Sequence, residues 1–144
     1  MFSKTCEYAI RAMIFIAQKT KSGRRAGIKE IAGAIDAPEH FMAKILQELC
    51  RKGLLQSSKG PTGGFYQEEK RSACSLADIV RAIDGNQLFK GCGLGLKECS
   101  EARPCPIHDQ FKILREEIYN MLEGAKIGEF SKQLEKNLTF LRRK

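Results

Sequence analysis

Apolar residues recur at helical intervals through the first third of the chain. One stripe, from about Ser3 to Lys19, predicts a helix that Ser3 caps at its N-terminus. A second stripe, spaced i, i+3, i+4 and i+7, predicts a short helix from Ile28 to Ile35. The apolar positions are Cys6, Ile10, Met13 and Ala17 in the first helix, and Ile28, Ile31, Ala32 and Ile35 in the second.

A turn and a third helix follow. Asp36-Ala37-Pro38 predicts the turn, with Pro38 just inside the start of the next helix. That helix is expected to end at Gly53 and to bury either Phe41 or Met42. Two short helices joined by a tight turn are typical of a helix-turn-helix. The other core positions of the third helix are Ile45 and Leu49.

A hairpin is predicted directly after the third helix. Residues 54–58 and 65–67 have strand-like patterns around the turn Lys59-Gly60-Pro61-Thr62-Gly63-Gly64. At this place in the chain a hairpin is the wing of a winged helix. The glycines permit a sharp turn with positive φ, so Lys59 would face a phosphate or a narrow minor groove. A plain hairpin turn would have the same pattern.

Later segments complete the expected organisation. Ser75-Leu76-Ala77-Asp78 predicts a capping-box start for a fourth helix that ends near Asp84-Gly85. The fold class is therefore mainly α, a winged helix-turn-helix domain with a small β-hairpin wing and a long C-terminal dimerisation helix. The expected parts are the winged domain at 1–84, a cysteine-rich cluster-binding loop at 85–105, and the dimerisation and C-terminal helices at 106–144.

Pro106 is expected to open the long helix, and Gly124 to end it. Apolar residues in this helix have the 4-3-4-3 spacing of a coiled-coil seam. The stripe could pack on its own domain, but a small winged domain has little spare surface for it, which favours a dimer. A last amphipathic helix starts at Ile127. The seam residues are Ile107, Phe111, Leu114, Ile118 and Met121, and the last helix carries Leu134, Leu138 and Leu141.

The composition of the chain indicates a polyanionic binding partner. The net charge is +8, and residues 1–71 hold 13 Lys/Arg against 7 Asp/Glu, so a nucleic-acid interface belongs to the N-terminal half. A hydrophobic share of 42% argues against general disorder. The apolar run around Tyr8–Ala17 is interrupted by Arg11, so no membrane span is expected. We expect a reducing cytoplasm, where six cysteines serve as thiols or metal ligands.

One face of the third helix has side chains suited to reading DNA. His40, Lys44, Gln47 and Arg51 are spaced i, i+4, i+7 and i+11, with the small Ala43 beside them. Lysine and glutamine can contact guanine and adenine edges in the major groove, whereas Arg51 at the helix end is better placed for a phosphate. The alternative is an ordinary solvated face.

Three cysteines lie close together in one Gly-rich stretch, as Cys92-x6-Cys99-x5-Cys105. Thiolates so close together in a loop are typical ligands of a metal or an iron–sulfur cluster, and either needs a fourth ligand. His108 and a partner subunit's Glu7 are the candidates, with an oxygen or small-molecule ligand as a third possibility. Zinc usually takes cysteines two to four residues apart, so the wider spacing favours a cluster. A metal-free thiol–disulfide switch remains open. The remaining cysteines, Cys6, Cys50 and Cys74, are interpreted as core or surface residues.

Together these motifs resemble the bacterial iron–sulfur cluster regulator (IscR) and nitric-oxide-sensing repressor (NsrR) family of winged-helix transcription factors. The resemblance covers almost the whole chain. It rests on Tyr8 to Met13, the helix-turn-helix from Ile28 to Leu49, Lys52-Gly53-Leu54, the wing from Lys59 to Phe65, the triple-cysteine loop and Ile127-Gly128-Glu129-Phe130.

The resemblance implies a homodimer that binds pseudo-palindromic promoter DNA and holds a cluster, 2Fe-2S in preference to 4Fe-4S, on the three cysteines. The fourth ligand would be His108, or Glu7 of the partner subunit. Base contacts would come from the helix that starts at Glu39, and other contacts from the wing. The full set of DNA-binding residues is Glu39, His40, Ala43, Lys44, Gln47, Arg51, Lys59, Pro61, Thr62 and Gly63.

Three features depart from the family pattern. The first cysteine gap has six residues where five is usual, and Lys59 replaces a frequent arginine. His40, Ala43 and Lys44 replace Ser, Glu and Gln, so the operator should differ. Two alternatives to a cluster-bearing regulator are a metal-independent winged-helix regulator with a thiol-based or partner-mediated switch, and an iron–sulfur electron carrier. The wing and basic face argue against the carrier, and no catalytic constellation is present in the sequence.

Overall fold

The computed structural model of the protein describes residues 1–71, 73–137 and 139–141. In this part of the chain the first helix is central. It packs against the second, third and fourth helices and against the C-terminal helix. The fold is mainly α with one small hairpin, as predicted. The elements are α1 (Lys4–Lys21), α2 (Ile28–Ile35), α3 (Glu39–Arg51), β1 (Gln56–Ser58), β2 (Gly64–Tyr66), a 3-10 turn (Glu69–Arg71), α4 (Leu76–Asp84), α5 (Gln87–Lys90), α6 (His108–Gly124) and α7 (Ile127–Glu135).

Helix α1 begins as the sequence predicts and runs slightly further. The Ser3 hydroxyl accepts a hydrogen bond from the backbone N–H of Cys6 at 3.0 Å, which satisfies one free donor of the first turn. The helix continues to Lys21 and ends where the Ser22 hydroxyl donates to the Lys19 carbonyl at 2.9 Å. Its core face is fully or nearly buried and consists of Cys6, Ala9, Ile10, Ala12, Met13, Ile14 and Ile16.

The turn between α2 and α3 depends on Asp36, whose backbone is left-handed at φ 58°. Asparagine and aspartate tolerate this conformation better than most residues. Pro38 lies at the N-cap of α3 with an extended backbone, and not inside the helix as predicted. Of the two candidate core residues, Met42 is fully buried and Phe41 is 49% exposed.

The wing is an antiparallel hairpin in which Gln56 pairs with Tyr66 and Ser58 with Gly64. Its first strand is shorter than predicted because the Leu54 N–H is still bound to the Leu49 carbonyl of α3, at 3.0 Å, and Leu55, only 2% exposed, is part of the core. Residue Ala26 of the α1–α2 loop pairs with Phe65 through two backbone hydrogen bonds, of 3.0 and 2.7 Å. These bonds fix the wing to the base of the helix-turn-helix.

Helix α4 begins with the predicted capping box, in which the side chains of Ser75 and Asp78 each accept the other's backbone N–H. The preceding segment pairs with the start of α7: Leu76 N–H donates to the Ala125 carbonyl at 3.0 Å, and Ile127 N–H to Cys74 at 2.9 Å. The fourth and last helices are therefore held together by backbone as well as side chains.

The C-terminal part differs from the prediction in three places. The stretch 85–105 is not loop throughout, because α5 forms one helical turn within it. Helix α6 begins at His108 and not at Pro106, with Ile107 as its N-cap. Helix α7 ends at Glu135, so Leu141 follows the helix, although it still packs against the core. The predicted Leu138 lies outside the described residues.

The seam of α6 is divided between two surroundings. Ile118 packs against the core, and Leu122, one turn along, is 1% exposed. On the other side of the helix, the side chains of Leu114, Met121 and the neighbouring Ile113 are 53%, 56% and 59% exposed. Only one edge of the predicted stripe therefore packs on its own domain.

Candidate nucleic-acid interface and cysteine site

Packing of α3 decides which of its side chains reach solvent. Four apolar residues face the core, Met42, Ile45, Leu46 and Leu49. The opposite side presents the predicted DNA-reading residues: Glu39, His40, Lys44, Gln47 and Arg51 are all exposed, and Ala43 is half-buried. The structure therefore brings these predicted residues together on one accessible face.

Arg51 is not free on that face. Its Nε lies 3.0 Å from Glu48 Oε2, and its second guanidinium nitrogen contacts the other carboxylate oxygen. This hydrogen bond lowers the pKa of Glu48 and raises that of Arg51. A phosphate would have to compete with a carboxylate that already binds the guanidinium in a two-point geometry.

Backbone geometry at the wing tip requires glycine. A Cβ on Gly63 would lie 2.4 Å from the Ser58 carbonyl oxygen, and Gly60 has φ +101°. Gly63 N–H donates to the Gly60 carbonyl at 3.0 Å, closing the turn. Three predicted residues are exposed there: Lys59, Pro61 and Thr62.

Arg25 is a cation at the wing base that the residue pattern did not predict. Its guanidinium lies 4.4 Å from the centre of the Tyr66 ring and donates to the Ser58 hydroxyl. The pairing of Ala26 with Phe65 places it there. The adjacent arginines 24 and 25 were the only available signal, since nothing in the sequence connects this loop with the wing.

The cysteine loop brings its candidate ligands together in two groups. The sulfurs of Cys92 and Cys105 are 4.0 Å apart, and the Cys99 sulfur lies 3.4 Å from His108 Nδ1. The imidazole is 6% exposed at the start of α6, where His108 N–H donates to the Cys105 carbonyl at 3.0 Å. Residues separated by 13 and by 9 positions thus meet in two pairs near the start of α6.

Helix α6 holds the loop in this position. Arg115 donates to the Gly91 carbonyl at 2.6 Å. Gly93 lies against the Phe111 ring so closely that an added Cβ would be 2.8 Å from a ring carbon. Lys112 also binds the Glu101 carboxylate further along the loop. The path of the loop is therefore set by side chains of α6.

The loop environment favours a thiolate at Cys92. Leu94 N–H donates to the sulfur at 3.4 Å. This bond, with a further backbone donor at Leu96, lowers the pKa of Cys92. In the core the effect is opposite, because burial and the Asp84 carboxylate raise the pKa of Cys6 to about 12. Burial also raises the pKa of Cys50.

Donor chemistry and donor spacing lead to different conclusions about metal binding. Three thiols and an imidazole are the ligand types of iron–sulfur clusters and zinc. Among the described residues, however, no three Cys, His, Asp or Glu side chains form one group close enough to hold a metal ion. Glu7, half-buried on α1, is likewise in no such group. The ligand types fit a cluster, and the two pairs would have to approach each other to share one.

No helix in the described part of the chain is both long and apolar enough to cross a lipid bilayer.

Comparison with known proteins places the chain among transcriptional regulators. The Rrf2 profile, described as an iron-dependent transcriptional regulator, matches residues 2–133. A protein of Aquifex aeolicus assigned as an HTH-type transcriptional regulator is 30% identical over 140 residues, which are 96% of both chains. The HTH-type transcriptional regulator NsrR of Geobacillus kaustophilus is 29% identical over 96 residues, covering 67% of this chain and 60% of that one.

Solved structures agree on the fold. CymR, the global cysteine regulator of B. subtilis, superposes with a TM-score of 0.74 at 20% identity, covering 92% of this chain and 96% of that one. IscR of T. potens superposes with a TM-score of 0.73 at 18% identity, covering 96% and 91%. The predicted resemblance to IscR and NsrR is confirmed at the level of the family.

Proposed function

We propose that this chain, which belongs to the Rrf2 family of transcriptional regulators, is a cytoplasmic, dimeric DNA-binding protein that senses redox, iron or nitric oxide status through an iron–sulfur cluster. The observation that carries the proposal is the meeting of Cys92 with Cys105 and of Cys99 with His108 at the N-terminus of α6. These three cysteines lie outside the main hydrophobic core, and their sulfurs are the donors that cluster iron prefers.

The DNA-binding part of the proposal assigns α3 to the major groove. Recognition helices of this kind place their N-terminal residues against base edges. Lys44 and Gln47 would read bases, and Ala43 would permit close approach. Glu39 and His40 would sit at the leading end. Wing contacts would come from Lys59, Pro61, Thr62 and Gly63. Arg51 would contact a phosphate after its hydrogen bond to Glu48 breaks.

The cluster would be held by Cys92, Cys99 and Cys105, with 2Fe-2S favoured over 4Fe-4S. His108 is the better supported fourth ligand because it lies beside Cys99 in the same chain. Glu7 of the partner subunit is the alternative. When bound, the cluster would supply a centre that oxidants or nitric oxide can alter or remove. The loop backbone would keep the Cys92 thiolate ready through the Leu94 N–H.

A second copy of the chain would cover the outer face of α6. Ile113, Leu114 and Met121 together expose an apolar surface on this helix. Leu114 and Met121, seven residues apart, repeat one position of the predicted seam, and such an apolar repeat can bind a matching helix. A two-fold dimer would place its recognition helices on two half-sites, hence the pseudo-palindromic operator.

Regulation would follow from the attachment of the loop to α6. Arg115 and Phe111 hold the loop, and the same helix carries the dimer face. Gathering the two donor pairs would pull on α6, and in a dimer this alters the relative placement of the two recognition helices. Occupancy of the cysteines would thus change half-site spacing and affinity.

Anaerobic purification tests the cluster. We expect a coloured protein with bound iron and sulfide, and loss of colour in Cys92→Ala, Cys99→Ala or Cys105→Ala, measured by visible absorption and iron analysis. Cys50→Ala is the matched control and should keep the colour. Comparing His108→Ala with Glu7→Ala identifies the fourth ligand from the altered spectrum. Colourless, iron-free protein after strictly anaerobic work would reject the cluster.

A metal-independent thiol switch is the second candidate, favoured by the 4.0 Å separation of the Cys92 and Cys105 sulfurs. With hydrogen peroxide as oxidant, the two thiols would each lose a hydrogen to form a disulfide while the peroxide is reduced to two waters. Peptide mapping of peroxide-treated, metal-free protein should then show this crosslink together with changed DNA affinity. A crosslink without any change in affinity would rule out this switch.

A further inference from the structure

Helix α3 exposes a large aromatic side chain that the core does not use. Phe41 is 49% exposed, whereas its neighbour Met42 is fully buried. The apolar side of the helix is already filled, and Phe41 is absent from the partly buried residues that pack against the core. The exposed half of the ring gains nothing from folding, because it stays in water. This half is therefore available to a partner.

The position of Phe41 is on the leading turn of the helix proposed to enter DNA. It is the third residue of α3 and precedes Lys44 by three positions, so the two side chains are neighbours on the helix surface. Its ring lies 4.4 Å from the His40 ring, centre to centre, at 36°. This contact limits the freedom of the aromatic side chain at the edge of the predicted DNA-reading face.

Chemistry narrows what a phenyl ring can read in a major groove. The ring of Phe41 has no donor or acceptor for base edges, and it gains nothing from a charged phosphate. Thymine alone among the bases offers an apolar group there, its C5-methyl, and phenylalanine is among the residues that contact it. The other accessible residues of this turn, Glu39 and His40, are polar.

We propose that Phe41 is a specificity residue that packs on the methyl group of a thymine in each half-site. The proposal rests on the proposed DNA-binding function and goes beyond it by assigning an apolar base contact that none of the polar face residues can make. It predicts a thymine in every operator half-site, at the position next to the base read by Lys44.

Removing the methyl group alone tests the contact. Duplexes selected from a random pool by the wild-type protein are remade with uracil in place of thymine, one position at a time, and affinities are measured by fluorescence anisotropy. Burial of one methyl corresponds to about fourfold in affinity, so one position should lose about that factor with the wild type. Phe41→Ala should bind thymine and uracil duplexes equally well.

A matched control separates this contact from binding in general. Lys44→Ala should weaken binding to all duplexes but keep the thymine-to-uracil ratio of the wild type, because it removes a donor and leaves the ring in place. Thermal unfolding should show Phe41→Ala folded, since the side chain is exposed.

Two results would overturn the inference while the proposed function stands. The first is that replacing thymine by uracil, at each position in turn, leaves the affinity of the wild-type protein unchanged. The second is that Phe41→Ala keeps the wild-type ratio of thymine-duplex to uracil-duplex affinity. Failure of the wild type to select any duplex would instead reject DNA binding itself, and the thymine contact with it. If Phe41 served a protein partner, its replacement would leave every DNA affinity unchanged, which also overturns the inference.

Discussion

Two regions of this molecule hold cysteines in opposite environments. In the packed helical core, burial and a nearby carboxylate raise the pKa of Cys6 to about 12. In the loop before α6, backbone N–H groups lower the pKa of Cys92. The same functional group is thus kept protonated at Cys6, whereas at Cys92 the surroundings favour the thiolate. The difference comes from what surrounds the sulfur, since a core offers few free donors and a Gly-rich loop offers several.

Alkylation should show the largest contrast. In metal-free protein at pH 7, Cys92 should react at least about a thousandfold faster than Cys6, because the latter is both fully buried and almost never ionised. The rate at Cys6 should still rise tenfold per pH unit up to pH 10, whereas the rate at Cys92 should level off below the pH expected of an ordinary thiol. Mass spectrometry of quenched samples measures both, and equal rates would contradict the comparison.

Truncation of a leucine should separate the packed core from the outer face of α6. Leu46→Ala removes a fully buried side chain and should lower the free energy of unfolding by about 2–5 kcal/mol in urea titrations. Leu114→Ala, at a 53% exposed position, should change the stability of the monomer by no more than about 0.5 kcal/mol. Sedimentation should nevertheless show a weaker dimer for Leu114→Ala. If the dimer of Leu114→Ala were as strong as that of the wild type, α6 would not be the dimer interface.

Loss of the anchor that holds the loop should affect the loop alone. Arg115→Gln removes the guanidinium that binds the Gly91 carbonyl, so Cys92 should be alkylated about tenfold to a hundredfold faster, since a hydrogen bond to a charged group contributes about 1.5–3 kcal/mol. The urea midpoint should stay close to that of the wild type. Lys90→Gln, an exposed change on α5, is the control and should leave the alkylation rate unaltered. A lowered urea midpoint for Arg115→Gln would mean that the arginine supports the fold as a whole.

The smallest expected effect concerns the wing. Lys59→Ala should weaken binding evenly across DNA sequences and reduce the slope of log affinity against log salt by about 0.9, the value for one phosphate contact. Lys136→Ala, after α7, is the matched charge control and should leave the slope unchanged. Equal slopes for all three proteins would remove the wing from the interface.

Much of the helical framework could be predicted from residue patterns, because local rules govern it. The Ser3 cap, the Ser75–Asp78 capping box and the α2–α3 turn each depend on residues within a few positions of one another. The pattern failed where a long-range contact decides. Leu55 belongs to the core and not to the wing strand, and α7 ends before Leu141, which packs on the core from outside the helix.

The candidate sites follow the same division. By itself, the sequence determined which side chains are the candidates for this chemistry: three cysteines and a histidine around one loop, and a polar, basic face on a short helix before a hairpin. Only the tertiary structure decided that Cys92 meets Cys105, that Arg25 lies on the wing, and that Phe41 is exposed while Met42 is buried. Residue type and spacing set the chemistry and the local backbone, whereas partners distant in the chain are chosen by packing, which the order of residues alone does not reveal.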